Sequence, residues 1–403
     1  MDFDDAPEEA AFRAEARAWL EDNAPRRHDD GERSMALFAE LPPDEEARQV
    51  ARAKEWQRTK FDAGWAGVTW PKDYGGRGGT AMQSIIWGQE EGRFDVPAGV
   101  WEITMGMIAP TIIVHGTPEQ KQQWLPRILD GSEVWCQLYS EPGAGSDLGS
   151  LSTRAERDGD EWIVNGQKVW TSGAHYASWG YILARTDPEL TKHRGITAFC
   201  LRMDQPGVTV RPLRQMTGGA TFNEVFFDDV RIPADRMLGD LNQGWTVAIT
   251  TLMNERLSAG GLGGGSGVSM LVELARKSGA WDDPVVRQRI MRIYLMGETL
   301  RFTGYRILTS ISQGGIPGPE GSIGKLVVAK LLRETADVAA SMLGPEAMLA
   351  GDWSGLVLGA PGMRIAGGTD EVMRNIIGER VLGLPGEPRV DKGIPFKELA
   401  RSS

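Results

Sequence analysis

Two cysteines in 403 residues, Cys136 and Cys200, cannot build a disulfide framework, and a reducing compartment such as the cytoplasm fits that economy. Histidine is as scarce. His28, His115, His175 and His193 are scattered and show no metal-ligand spacing with the cysteines. No apolar run approaches the roughly 18 residues a membrane helix needs, so no integral membrane segment is expected. The N-terminus, MDFDDAPEEAAFRAEA, lacks both a basic leader and an apolar stretch and does not read as a signal peptide. No basic stripe runs through a chain of net charge −11, which argues against nucleic acid as a partner. These absences leave an ordinary globular composition, 41% hydrophobic and 25% charged, in enough chain for two or three domains.

Residues 1–133 read mostly as helix. EEAAFRAEARAWLEDNAP sets Phe12, Ala16, Trp19 and Leu20 at helical spacing, and Pro25 ends it. Further helices are predicted over 48–63, 81–92 and 108–115 and from the capping residue Thr117, with a Gly/Pro loop at GWAGVTWPKDYGGRGG. Residues 134–240 change character. Runs such as GYILART, ITAFCLR and EVFFDDVRI, spaced by DG, NG and PG turns, predict a small β-barrel or sandwich. From 241 to 403 the helical period returns. One long helix is predicted through WTVAITTLMNERLSAGGLGGGSGVSMLVELARKSG, and others over 285–313, 324–350 and 369–382. GDWSGLVLGAPGMRIAGGTD reads as a Gly-rich stretch, and the tail from Pro385 as extended. The fold class is α+β multidomain, in the order helical, β, helical.

Two polar motifs stand out. SEPGAGSD (140–147) is a tight Gly/Pro loop with small hydroxyl residues, and KVWTS (168–172) sets an indole beside two hydroxyls. A loop whose backbone can approach a ligand, with an aromatic flanked by hydrogen bonders nearby, suits a flat, polar-edged redox cofactor such as a flavin. Singly, the loop also reads as an ordinary surface turn and Trp170 as a core residue. AGGLGGGSG (259–267) is not a phosphate loop, because no G-K-[ST] follows it.

Taken together and in order, GWAGVTWPKDYGG, HGTPEQKQQWLPRILDG, QLYSEPGAGSD, NGQKVWTS, FNEVFFDDVRIP and GGTDEVMRNIIGERVLG resemble the acyl-CoA dehydrogenase family over nearly the whole chain. The resemblance implies FAD, an acyl-CoA substrate and an electron-transfer flavoprotein as acceptor. It also implies a C-terminal four-helix bundle and a homotetramer or homodimer. By position in the motifs, Tyr139 and Ser140 would bond the ring edge of the flavin. Gly145 and Ser146 would let the chain pass close to cofactor and substrate, and Trp170 would pack on the ring with Thr171 and Ser172 at its rim. Thr369 and Glu371 match contacts to the FAD diphosphate and ribose, unless Thr369 only caps its helix. Two departures touch the part of the site that a neighbouring subunit supplies. R-x-x-F-G is replaced by KSGAWDDPVVRQRIMR, where Arg287 or Arg289 could stand in, and Q-x-x-G-G by SMLGPEAM.

The implied reaction needs a base for a proton α to a thioester, and a carboxylate in an apolar setting suits it because desolvation raises its pKa. Many family members carry that glutamate just before the last helix, where this chain has Gly367. A branch resembling isovaleryl- and long-chain acyl-CoA dehydrogenases instead pairs glycine there with a glutamate on an earlier helix. Glu255 in TTLMNERLSAGG is that candidate base. Arg256 either supports its surroundings and the substrate or makes a plain ion pair. Gly367 could still offer its backbone N–H to the thioester oxygen, with Gly368 beside the substrate. Small residues at 366–368 hint at branched, long or ring-bearing acyl groups. Two other readings keep the same fold. One is an oxygen-using oxidase or monooxygenase. The other is the base-bearing subunit of a hetero-oligomer acting on sterol side-chain-like acyl-CoA.

Overall fold

The computed structural model of the chain describes residues 5–27, 35–97, 99–259, 267–312, 318–389 and 391–399. The helical first third holds α1 (Pro7–Asn23), α2 (Pro43–Asp62), α3 (Ala81–Glu91), α4 (Ala109–His115) and α5 (Pro118–Leu129). In α1, Phe12, Ala16 and Leu20 recur every fourth residue and are buried. They meet an indole cluster in which Trp65 stacks on Trp87 at 4.7 Å and Trp19 lies 5.5 Å from Trp56. Thr117 caps α5 as expected, accepting from the Gln120 N–H while the Gln120 side chain accepts from the Thr117 N–H. One carboxylate locks α1 to α3. Glu90, 2% exposed, accepts from Arg13, Arg17 and Arg93.

The middle segment holds β1 (Trp135–Leu138), β2 (Arg154–Asp158), β3 (Glu161–Ser172), β4 (Trp179–Arg185), β5 (Ile196–Arg202), β6 (Val208–Leu213), β7 (Phe222–Pro233) and β8 (Met237–Leu238). They form one mixed sheet in the order β6-β7-β3-β2-β4-β5-β8, with β1 pairing parallel to β4. Of the barrel or sandwich expected here, a closed barrel is ruled out, because the path does not close. The sheet curls instead, bringing Trp162 of β3 within 5.4 Å of Phe199 of β5 around an inner apolar core. Its other face, with Trp135, Trp179, Tyr181 and Leu183, packs against α4, α5 and the next helix. β4 is buried at every position, so alternation fails there.

The last segment holds α6 (Gly244–Ala259), α7 (Val268–Lys277), α8 (Pro284–Ser312), α9 (Gly321–Leu343), α10 (Asp352–Met363) and α11 (Asp370–Ile376). α9 is central, touching α6, α7, α8, α10 and α11. The glycine run 260–266, within the single helix expected here, lies outside the described residues. α10 was not expected. Its glycines form a close-approach face. A Cβ at Gly355 would lie 2.6 Å from Ala36 Cβ, and one at Gly359 would lie 2.5 Å from Leu37 Cβ. The residues that resemble loop composition are there to admit a neighbouring backbone. The tail straps back onto the β-region, with the Phe396 N–H donating to Leu190 O at 2.9 Å and Asp391 paired with Lys192. Among the described residues no helix is long and apolar enough to cross a membrane.

The Glu90 cluster gives a pH-dependent test. Arg17 above all, with Arg13, holds the Glu90 carboxyl at about 2 against a burial that would raise it from 4.5. Its stabilisation is therefore complete above about 4.5 and is lost as pH falls toward about 2. Urea unfolding at several pH values should show Glu90→Gln costing about 2 kcal/mol at neutral pH and flattening that part of the acid slope.

Candidate active site

The two polar motifs meet through a buried ion pair. Lys168, 0% exposed, donates from Nζ to Glu141 Oε1 at 2.8 Å and to the Tyr139 carbonyl at 3.0 Å. Glu141 also accepts from the Ser152 and Thr153 N–H groups at 2.7 and 2.9 Å. Burial opposes its charge, but Lys168 and these donors outweigh it and hold the carboxyl below its usual range. The Val169 N–H donates to Ser140 O at 2.8 Å, so the loop and β3 are joined twice. The sequence reading passed over Glu141 and Lys168. The signal was a lysine among apolar neighbours in a strand, with a glutamate inside the loop.

Beyond Lys168 the strand breaks register against β7, and Trp170 sits in that bulge at φ 61 with its side chain 60% exposed. A left-handed tryptophan in a strand is strained, and its large apolar face meets solvent. The edge of Phe222, 6.0 Å away, is the one ring against it among the described residues. Thr171 is buried and its hydroxyl has no hydrogen-bond partner. Asn223 holds the Thr171 carbonyl at 2.9 Å and touches His175, which pairs with Glu46 of α2 at 3.0 Å. Ser146 is exposed, and a Cβ at Gly143 or Gly145 would meet nothing within 4 Å. An uncovered indole, an orphaned buried hydroxyl and open space above the glycine loop fit a flat ring with polar edges.

The expected base and its glycine come together across 112 positions of sequence. Glu255, half-buried on α6, has Oε1 3.3 Å from where a Cβ on Gly367 would stand. Gly367 and Gly368 are left-handed, at φ 67 and 96. Among the described residues, neither N–H makes a backbone hydrogen bond. The flavin-type loop reaches the same place through buried hydroxyls. Tyr139 donates to Tyr181 at 2.9 Å, Thr251 lies 3.4 Å from Tyr181, and Thr111 lies 2.9 Å from Thr251. Thr251 is one helical turn before Glu255. Burial, then Tyr181, pushes the Tyr139 phenol well above its ordinary value, so it stays a neutral donor. Tyr181 and Thr251 were not among the expected site residues.

Other expected residues stand apart. Thr369 caps α11, its hydroxyl accepting from the Val372 N–H at 3.2 Å. Glu371 faces solvent and pairs with Arg374 at 3.2 Å. The side chain of Arg256 lies outside the described residues. Arg289 donates to Ser341 Oγ at 3.0 Å, inside the altered SMLGPEAM segment, whereas Arg287 bonds the Trp281 carbonyl.

Comparison with known proteins agrees across the chain. Family models described as acyl-CoA dehydrogenase N-terminal, middle and C-terminal domains match residues 6–132, 136–230 and 242–382. Acyl-CoA dehydrogenase IpdE1 of Mycobacterium tuberculosis is 40% identical over 94% of this chain and 98% of its own length. Among solved structures, the Tcur3481-Tcur3483 steroid ACAD is similar at TM-score 0.77 and 30% identity, covering 96% of this chain and 100% of that one. The ChsE4-ChsE5 complex from Mycobacterium tuberculosis is similar at TM-score 0.74 and 30% identity, with 96% and 100% covered.

Replacing Lys168 by methionine leaves the Glu141 carboxylate buried without its cation. Denaturant unfolding should show a loss of about 3–5 kcal/mol. The Glu141→Gln, Lys168→Met double variant should recover part of it.

Proposed function

The chain belongs to the acyl-CoA dehydrogenase family, and from that premise we propose that it converts an acyl-CoA thioester to the trans-2-enoyl-CoA with Glu255 as base. The observation that carries this reading is the 3.3 Å approach of Glu255 Oε1 to the position of a Cβ on Gly367. A carboxylate from α6 thus fills the space that a side chain on the turn before α11 would otherwise occupy. Glu255 takes the α-proton, and the electron pair left behind forms the Cα–Cβ double bond. The Gly367 N–H is a donor for the thioester oxygen, where negative charge develops as that proton leaves. The family is FAD-dependent, and FAD when bound supplies the two-electron acceptor for the β-hydrogen. Tyr139, Ser140, Gly145, Ser146, Trp170, Thr171 and Ser172 would hold its ring, and Thr369 and Glu371 its far end. Ser146, Arg256 and Gly368 would border the acyl-CoA. Electrons pass on to an electron-transfer flavoprotein. The domains are 1–133, 134–240 and 241–403, and the enzyme works in the cytoplasm.

A large acyl group, of steroid-like bulk, is favoured by two features. The turn at 366–368 carries one methyl and no larger side chain, and similar solved structures include a steroid ACAD. Oligomerisation is favoured by α8, where Met291, Tyr294, Leu295 and Phe302 are 53%, 43%, 58% and 50% exposed along one helical stripe. The similar Tcur3481-Tcur3483 and ChsE4-ChsE5 structures are each named for two proteins, which supports a second reading as the base-bearing subunit of a hetero-oligomer. The lost R-x-x-F-G motif points the same way.

Two measurements test these readings. Glu255→Gln should abolish anaerobic flavin bleaching by acyl-CoA while leaving flavin bound, and full bleaching in that variant would reject the base. Purified alone, a yellow protein with one flavin per chain would reject the hetero-oligomer, whereas a colourless one would support it.

A further inference from the structure

We propose that Asp370, gripped between Lys325 and Arg364, is the positioning residue that fixes the Gly367–Gly368 turn against Glu255. The inference rests on Glu255 being the base. Asp370 opens α11 and is 5% exposed. Its Oδ2 accepts from Arg364 Nε at 2.8 Å, and its Oδ1 lies 3.7 Å from the Nζ of Lys325 on α9, which is 3% exposed. Its backbone N–H closes the loop on the Arg364 carbonyl at 3.0 Å. One carboxylate therefore ties three elements together: the middle helix α9, the end of α10 and the start of α11.

Between the tied ends lie only residues 365–369. Two of them are left-handed glycines whose N–H groups make no backbone hydrogen bond among the described residues. Such a turn has little stiffness of its own, because glycine has the widest choice of backbone conformations. Its position against Glu255 must come from its anchors. Packing contributes at one point, where a Cβ on Gly368 would fall 2.5 Å from Met373 Cε. The ionic anchor is the other, and it is a costly one. Lys325 Nζ, Asp370 Oδ1 and the neighbouring Ser322 Oγ are buried with no hydrogen-bond partner. Burial pulls the Lys325 ammonium below its ordinary pKa, with Asp370 opposing. Replacing a buried ion pair such as Lys325–Asp370 by apolar groups of similar volume is often neutral or stabilising, so the charges are better explained by the geometry they impose than by the stability they add. Placement errors of about 1 Å near a reacting centre cost on the order of 100-fold in rate.

The test uses a CoA thioester with an α-CH2 and a quaternary β-carbon. It can lose an α-proton but has no β-hydrogen to give. Exchange of its α-hydrogens into D2O, followed by NMR with the flavin-loaded protein, reads proton removal alone. Asp370→Asn and Lys325→Met should slow exchange about 10- to 100-fold with flavin content, thioester affinity and cooperative unfolding retained. Lys325→Arg should restore a rate within a few-fold of wild type. Wild-type exchange in folded Asp370→Asn and Lys325→Met would overturn the proposal. So would slowing that appears only with lost flavin and is not rescued by Lys325→Arg, since that is a plain stability effect. Failure of the base assignment looks different: exchange would then persist in Glu255→Gln, or be absent from the wild type.

Discussion

The site depends first on the ion pair between Lys168 and Glu141. Both groups are out of water, so neither is tolerable without the other. Lys168 also takes the carbonyl of Tyr139, and Glu141 takes the N–H groups that begin β2. A glycine-rich loop with few constraints of its own is thereby bolted to β3. Two residues beyond the bolt, the strand bulges and turns Trp170 outward in a left-handed conformation. Strain of that kind persists only where the surroundings over-determine it.

The same loop reaches the base through Tyr139. Its hydroxyl joins Tyr181, and Tyr181 joins Thr251 on α6, so the ring-binding motif and the helix bearing Glu255 share one buried polar seam. Each member of that seam is tied to a different segment: the loop, β4 and α6, with Thr111 of α4 beyond. A shift in any one would strand a hydroxyl in a dry environment. On the opposite side, the glycine turn approaches Glu255 from α10 and α11, held by Asp370. The proposed chemistry thus sits where the β-region and the C-terminal helices face each other, and neither region carries it alone.

Several features were legible before any coordinates. Phe12, Ala16 and Leu20 announced α1, and Thr117 with Gln120 announced α5, because caps and helical periodicity are local physics. α10 was illegible for a physical reason. Its glycines are there for Ala36 and Leu37, which come from another part of the chain, so local composition points to a loop. Whether the middle segment is a barrel or a sandwich was a matter of closure, and alternating runs do not say whether the two edge strands meet. Thr369 was expected at the FAD diphosphate, with a helix cap as the alternative, and its hydroxyl does cap α11.

By itself the sequence determined the helical, β, helical order, many of the elements within it, and the residue types the chemistry would need. Glu255 was nameable as a candidate through the family resemblance, in which one branch pairs a glycine at the place of Gly367 with a glutamate on an earlier helix. Only the tertiary structure decided that Glu255 faces the space a side chain at Gly367 would fill, that Lys168 serves Glu141, and that Asp370 is held by Lys325 and Arg364. Each of these pairings joins residues far apart in the chain, except Arg364 with Asp370, and is held by desolvated charge or close backbone approach. Such forces act only after burial, and so leave no periodic trace in a sequence.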